Sequence, residues 1–391
     1  MLKHSLAKMI IIPGLVLTTL FTSWTTLASN TENATTAFYR HIMFRETPYA
    51  TYRGIHPVVE ETAPYFAHYQ FTHDDKGRVT SIRYQMQENL IFGNQVWDSF
   101  IWFAPQVNID YGPGKEVHTY FDVNGRQIAA HGDVYSAHYS LDKSGKRQSL
   151  HFYDENGEPS QNEWNIHRYE WRHEGGYVFE KRFNLANEQQ PLRPEFEFYE
   201  VKLDYDKNGQ LAFVYNLGLD GTPTNNSSGA GIDRITYDQN GNFVRWQVYD
   251  KEGKPVEGNR PMVHLGEHLY DEFGNKVGLR GYDRFGKQIP FSWGAFEHSA
   301  TFNERGNQIR QRIVDESGST LQFFARKYTP DHSKILYVQS LNDNEMVTHS
   351  PALGGAAQVR YQYISDGSYK IERLNADGSV FTDNNQSASS Q

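Results

Sequence analysis

YDQNGN at 237–242, YDEFGN at 270–275 and FNERGN at 302–307 are three copies of one short pattern. An aromatic residue, an Asp or Asn, two variable residues, a Gly and an Asn recur at spacings of 33 and 32. A step of 32 back from Tyr237 meets YDKNGQ at 205–210, and more worn copies are LDKSG at 141–145 and FTHDDKG at 71–77. The local physics is that of a tight turn. The Asp or Asn side chain accepts backbone N–H bonds, and Gly takes the positive φ that closes a type I turn with a bulge. Asp238, Asp271, Gly241, Gly274 and Gly306 are therefore read as structural turn residues.

A second turn follows each copy after 12 residues: YDKEGKP at 249–255, YDRFGK at 282–287, VDESG at 314–318, and YDENGEP at 153–159 after Leu141. Asp250, Gly253, Asp283 and Gly286 take the same structural roles there. FDVNGR at 121–126 is a further turn of this type, and 363–367 with LNADG at 374–378 forms the last copy. Between turns the apolar residues alternate with polar ones. Val244, Trp246 and Val248 are separated by Arg245 and Gln247, and Ile309 and Ile313 are interleaved with Arg310 and Arg312. That period of two marks half-buried antiparallel strands. The expected fold class is all-β, a repetitive antiparallel hairpin or meander array curled into a curved sheet, spiral or shell. Each unit of about 32 residues is read as four short strands. One such unit cannot bury its own apolar face, so copies must stack.

The unit Tyr-Asp-x-x-Gly-Asn followed by an apolar strand resembles the tyrosine-aspartate (YD) repeat of Rhs and teneurin-like proteins. That resemblance implies extracellular or secreted β-hairpin shells, often with carbohydrate or cell-surface partners. It is limited to the repeat unit: spacings of 12 and about 20 alternate here, and the chain lacks the Asp-Pro self-cleavage signature and the toxin region.

Residues 1–28 read as a signal peptide: Lys3 and Lys8, then the apolar run MIIIPGLVLTTLF at 9–21, then Thr26-Leu27-Ala28. The expected destination is periplasmic or extracellular, in a bacterium. Residues 29–70 form an N-terminal segment in which Thr35 to Phe44 is a short helix or a strand; 71–381 is the repeat domain, and 382–391 a polar, disordered tail. Acidic residues number 47 and basic ones 38, a net charge of −9 that argues against a nucleic-acid partner. No apolar run in the mature chain reaches the length of a transmembrane helix. With no cysteine the chain has no disulfide, no thiol nucleophile and no thiolate metal site. Aromatic residues make up 14% of the chain, far from a disordered composition.

Several patterns are candidate chemistry. His264-Leu265-Gly266-Glu267-His268 matches the H-x-x-E-H arrangement of a zinc peptidase. In register with its sister copies it lies on a strand, where residues four apart stand roughly 13 Å from each other, so no metal and no cofactor is expected. His264 and Glu267 are expected to tolerate replacement. The Asp-x-Asn-Gly loops, such as 122–125 and 238–241, lack the continuation of a calcium loop. His131, His138, His151, His167 and His173 fall within about 40 residues and are read as lying on solvated strand faces. Trp164, Trp171 and Trp293 are candidate ligand-binding residues, flat surfaces on which sugar rings stack. There is no G-x-S-x-G elbow, P-loop or dinucleotide fingerprint, and no catalytic residue is assigned. The expected function is non-enzymatic: an exported β-repeat protein that presents a surface to a glycan or an envelope protein. The alternatives are a carbohydrate-active hydrolase with acidic catalytic residues and a structural envelope component. A carboxylate cluster in a deep cleft would favour the hydrolase.

Overall fold

Among the described residues these turns close as the repeat predicts; the expected turn at 363–367 runs outside them. The Asp238 N–H donates to the Asn242 carbonyl at 3.0 Å and the Gly241 N–H to the Asp238 carbonyl at 3.1 Å. The Asp238 carboxylate accepts from the N–H groups of Asn240 and Asn242, both at 2.9 Å. Gly241, Gly274 and Gly306 take φ of 87°, 80° and 84°. The strand register shifts at Thr236/Tyr237, Leu269/Tyr270 and Thr301/Phe302, as a bulge requires. The second series forms likewise, with Gly253 and Gly286 at 81° and 82°.

The computed structural model describes residues 34–91, 104–194, 196–364 and 369–382. The expected leader, and the expected tail beyond Thr382, lie outside them. Within the described residues are 24 strands, all paired antiparallel, and no α-helix. From His68–His73 to Tyr369–Leu374 the chain is one open meander, each long strand pairing with the next. Thr35–Ile42 is a strand rather than a helix, held between Gly54–Val58 and His68–His73.

The four-strand unit is corrected to two. Ile232–Tyr237 and Phe243–Tyr249 form a hairpin, and the second turn then folds the chain back on its own strand through a single bridge, Tyr249 to Pro255. The returning stretch adds one bond, from the Val256 N–H to the Val248 carbonyl at 3.2 Å. A third turn, in which the Met262 N–H donates to the Asn259 carbonyl at 3.2 Å, leads into Leu265–Tyr270. At three of the hairpins the Tyr that ends the first strand reaches back to the neighbouring strand. The Tyr270, Tyr328 and Tyr363 hydroxyls donate to the carbonyls of Phe243, Gln308 and Ile335 at 2.9–3.0 Å.

What the curled sheet encloses is its own N-terminal segment. Residues 40–48 are all buried, though irregular beyond Ile42. Phe44 stacks on Phe243 with ring centroids 4.5 Å apart, and Tyr49 packs edge-on against Trp171. One Arg147 nitrogen donates to the carbonyls of Pro48, Tyr49 and Ala50 at 2.9–3.0 Å. Its other nitrogen pairs with buried Glu116, which also accepts from His118 at 2.6 Å. Burial pushes the Glu116 carboxyl up, but the His118 bond and the Arg147 charge outweigh it and hold the group at about 2.

The same segment covers the first series of turns. Arg53 donates to the Asn208 carbonyl at 2.8 Å, His56 to the Asn242 side chain at 2.9 Å, and His41 to the Phe273 carbonyl at 3.1 Å. The Ala67 N–H reaches the Arg305 carbonyl at 2.9 Å. This explains why the first series ends in Gly-Asn and the second in Gly-Lys or an equivalent polar residue. Asn242, Asn275 and Asn307 are buried, and the amides of Asn242 and Asn275 donate to the turn's own Asp at 2.8–2.9 Å. Lys254 and Lys287 are exposed.

Candidate functional site

The inward positions of the first strand of each unit lie four and two residues before the turn aromatic. They are Val201 and Leu203 before Tyr205, then Asp233 and Ile235, Gly266 and His268, and His298 and Ala300. The large apolar core runs from Ile42 to Val248, and among the described residues Val263, Phe291 and Ala295 form a small second cluster beyond it. Between the two, on the concave face past the end of the N-terminal segment, a cavity of about 600 Å³ opens. That lies within the ~300–1,000 Å³ of small-molecule sites.

Its apolar side is Leu192, Val214, Ile235, Phe243, Trp246 and Leu279. Its polar side brings Glu46 from the N-terminal segment together with Arg193, Asp233, Asn259, Arg260, Lys276 and His298. Arg193 pairs with Glu46. The Asn259 amide donates to the Asp233 carboxyl at 2.9 Å and fixes its orientation. Burial pushes Asp233 up to about 7, against the opposing pull of Arg193 and Asn259. Burial likewise brings Arg193 down to about 10, although Asp233 favours its charge. His268 and His298 are both held below the ordinary imidazole range, first by burial and then by the Lys276 charge.

Of the three candidate tryptophans, Trp293 lines this cavity. It stacks parallel on Phe291 at 4.7 Å, and 45% of the residue stays exposed. Trp171 is 4% exposed and donates its indole N–H to Glu180 at 2.8 Å, so it is a core residue here. Trp164 packs against the His131 ring at 5.1 Å and under Arg193 at 5.9 Å. The three do not form one platform.

The His264–His268 stretch spans the start of the strand Leu265–Tyr270. His264 donates to the Val248 carbonyl at 2.7 Å and His268 to the Phe243 carbonyl at 2.8 Å, both buried, with Trp246 against Gly266 between them. Glu267 faces the other side, where it accepts from the Tyr282 hydroxyl at 3.2 Å. The His264 imidazole satisfies a buried carbonyl, so a replacement there must supply a donor in its place. Among the described residues no three His, Asp or Glu side chains gather as a metal site. In the Asp-x-Asn-Gly loops the carboxylates are occupied by their own turn N–H groups.

The histidines between 131 and 173 are half-buried rather than solvated. Burial lowers His131, His138, His151 and His173, and the His167 ring donates to the Ser160 carbonyl at 2.7 Å. The polar cavity residues escaped the sequence reading, although Asp233 carried a signal: it stands at an inward position that Val201 fills one repeat earlier.

No protein-family model matches the sequence, and no curated protein matches it either. Among solved structures the chain is similar, at a low level, to a porin-like protein from Bacteroides uniformis, 9% identical over 68% of this chain and 90% of that one, with a TM-score of 0.26. A porin-like protein from Bacteroides vulgatus is 8% identical over 67% of this chain and 94% of that one, TM-score 0.22. TcdB2-TccC3 is 11% identical over 75% of this chain but only 19% of its own, TM-score 0.17, so the chain spans about a fifth of that protein. TM-scores this low do not amount to a shared fold.

Proposed function

We propose that the protein is an exported, non-catalytic binding protein whose concave cavity takes a small saccharide, free or at the end of an envelope glycan. The observation that carries this reading is the meeting of two indoles, Trp246 and Trp293, with the hydrogen-bonding groups of Arg193, Asp233 and Asn259 in one open-mouthed cavity. Aromatic faces take the apolar side of a sugar ring, and fixed polar groups read its hydroxyls. Titrating the full chain with mono- and disaccharides while following tryptophan fluorescence tests it. Saturable change, lost in Trp293→Ala, is expected; no response to any saccharide overturns it.

A second reading is favoured by one observation. Asp233, pushed up to about 7, shares the cavity with a second carboxylate, Glu46, which is the setting of an acid-catalysed glycoside hydrolysis. Against it, each group already has a structural partner, Glu46 in Arg193 and Asp233 in Asn259. Release of nitrophenol from aryl glycosides, abolished in Asp233→Asn, would make the protein a hydrolase and displace the binding reading.

A further inference from the structure

The sheet ends differently at its two edges. At one end Gly54–Val58 lies against the first series of turns, where a Cβ on Gly241 or Gly274 would meet Ile55 or His56. At the other end Tyr369–Leu374 pairs with Gln358–Tyr363 and, among the described residues, with no other strand. Ile371 on it is 54% exposed, and Lys370 and Arg373 beside it are exposed as well. An open edge of this kind is a template for a further strand.

The backbone of that edge repeats the joint between inner units. There three residues pair and a fourth is shared: Tyr337, Val338 and Gln339 pair with Arg360, Val359 and Gln358. Ser340 then donates its N–H to the Ala357 carbonyl at 2.9 Å, while its own carbonyl accepts from Thr348, in the returning stretch, at 2.9 Å. Val248 does the same with His264 and Val256, at 2.8 and 3.2 Å. Arg373 holds the second half of this arrangement, its carbonyl accepting from Phe381 at 2.9 Å. The Leu374 carbonyl accepts from Ala357, on the inner side. Backbone polar groups alternate along an antiparallel strand, so Ile371 and Arg373 turn theirs outward and Lys370 and Glu372 turn theirs inward.

We propose that a second copy of this chain supplies the next strand, the two Tyr369–Leu374 edges pairing antiparallel about a two-fold axis at Ile371. An isologous pair sets each residue opposite a symmetry-related one, and the charges on this strand choose the register. Centred on Lys370, Glu372 or Arg373, the pair would set like charges directly across the ladder, which is destabilising. Centred on Ile371, it sets Ile371 against its own copy and Lys370 against Glu372 twice. Arg360 and Gln362 both reach Glu372 through Oε2, so Oε1 is the oxygen that meets the incoming Lys370. Residues 370 to 372 then pair as they do at the inner joints, and each Arg373 N–H reaches the Tyr369 carbonyl of the second copy. One strand per copy buries well under the ~1,200–2,000 Å² of stable interfaces, so the dimer is weak and concentration-dependent. The cavity and its ligand play no part in it.

Sedimentation velocity of the full chain, from micromolar to near-millimolar concentration, tests it. The expected result is a monomer–dimer equilibrium that Lys370→Glu weakens at least about tenfold. Adding Glu372→Lys to that variant should restore dimerisation, because both cross-strand pairs then reverse together. Should the double variant fail to fold, cysteine placement decides, since the chain has no cysteine of its own. Ile371→Cys would face its own copy with Cα atoms about 5.5 Å apart, within disulfide reach. Under mild oxidant it should cross-link at least about tenfold faster than Lys370→Cys, which stands opposite Glu372. Equal rates at the two positions overturn the register and the proposal with it. A chain that stays monomeric throughout, or a dimer indifferent to Lys370→Glu, overturns it too. So does a chain that dimerises only when ended at Thr382, which would give the edge to its own tail.

Discussion

The indole of Trp246 occupies the space that any side chain at Gly266 would need: a Cβ built there falls 2.0 Å from the ring carbons Cζ2 and Cη2. The two residues are cross-strand partners, and the aromatic covers the backbone that the glycine leaves bare. The arrangement fixes Trp246 as the cavity wall and keeps His264 and His268 apart. Gly266→Ala is expected to expel the ring, at about 2 kcal/mol of stability, the scale of overpacking in a filled core. A chemical denaturation midpoint equal to that of the native chain would show that the ring is not held as described.

The two turn series should answer differently to the same substitution. Alanine at any of these glycines must take a positive φ, which costs on the order of 1 kcal/mol. At Gly253 and Gly286 a Cβ meets nothing within 4 Å, so that is the whole cost. At Gly241 it would fall 2.8 Å from Ile55 and at Gly274 2.4 Å from the His56 ring, because the N-terminal segment lies on these turns. Gly241→Ala and Gly274→Ala are therefore expected to lower the melting temperature clearly more than Gly253→Ala and Gly286→Ala. Equal losses in all four would remove the covering role of the segment.

The turns, the alternation and the strand at Leu265–Tyr270 were legible because each depends on residues within a few positions. The Asp238 carboxylate serves N–H groups two and four residues on, and no distant part of the chain can change that. The return of the chain after the second turn was not legible, since Pro255 makes a bridge or a strand according to what lies beside it. Nor was the burial of residues 40–48, whose partners include Arg147, Arg193 and Phe243, one hundred to two hundred positions away. The cavity was half legible. Asp233, Gly266 and His298 stand in the register of Val201, and a polar or absent side chain at a core-facing position marks a place where the core gives out. Sequence could not say that Glu46 would meet them there.

Arg147 holds the buried segment through three carbonyls and neutralises Glu116. Removing one partner of a buried pair typically costs 3–5 kcal/mol, because the other charge is left uncompensated. Arg147→Met should cost at least about 3 kcal/mol by that reasoning and loosen residues 48–53, so that trypsin cuts at Arg45 and Arg53 in the folded protein. Glu116→Gln on the same background should recover part of the loss. A double variant no more stable than Arg147→Met alone would mean the carbonyl contacts, rather than the stranded carboxylate, carry the cost.

Asp233 gives the stability of the protein a dependence on pH opposite in sign to that of buried Glu116. Its carboxyl titrates at about 7 in the folded chain against 3.8 as the ordinary value, so between those limits the folded state binds more protons than the unfolded one. The contribution is fully present below about pH 4 and is lost as the pH rises through 7. At 1.36 kcal/mol per unit the difference is on the order of 4 kcal/mol. Glu116, held at about 2, and His118, which burial brings down to about 4, run the other way: both lose stability as the medium becomes acidic. The native chain alone would show only the sum, so the informative quantity is its difference from Asp233→Asn. The amide keeps an oxygen for Asn259 and cannot ionise, and Arg193 retains Glu46. Below about pH 4 the two proteins should unfold at nearly the same denaturant concentration, and at pH 5 the variant should already lead by about 1.5 kcal/mol. By pH 8 the variant should be the more stable by a few kcal/mol. Stability curves that stay parallel from pH 5 to pH 8 would mean that Asp233 is ionised throughout, and that the cavity carries one more fixed negative charge than its geometry implies.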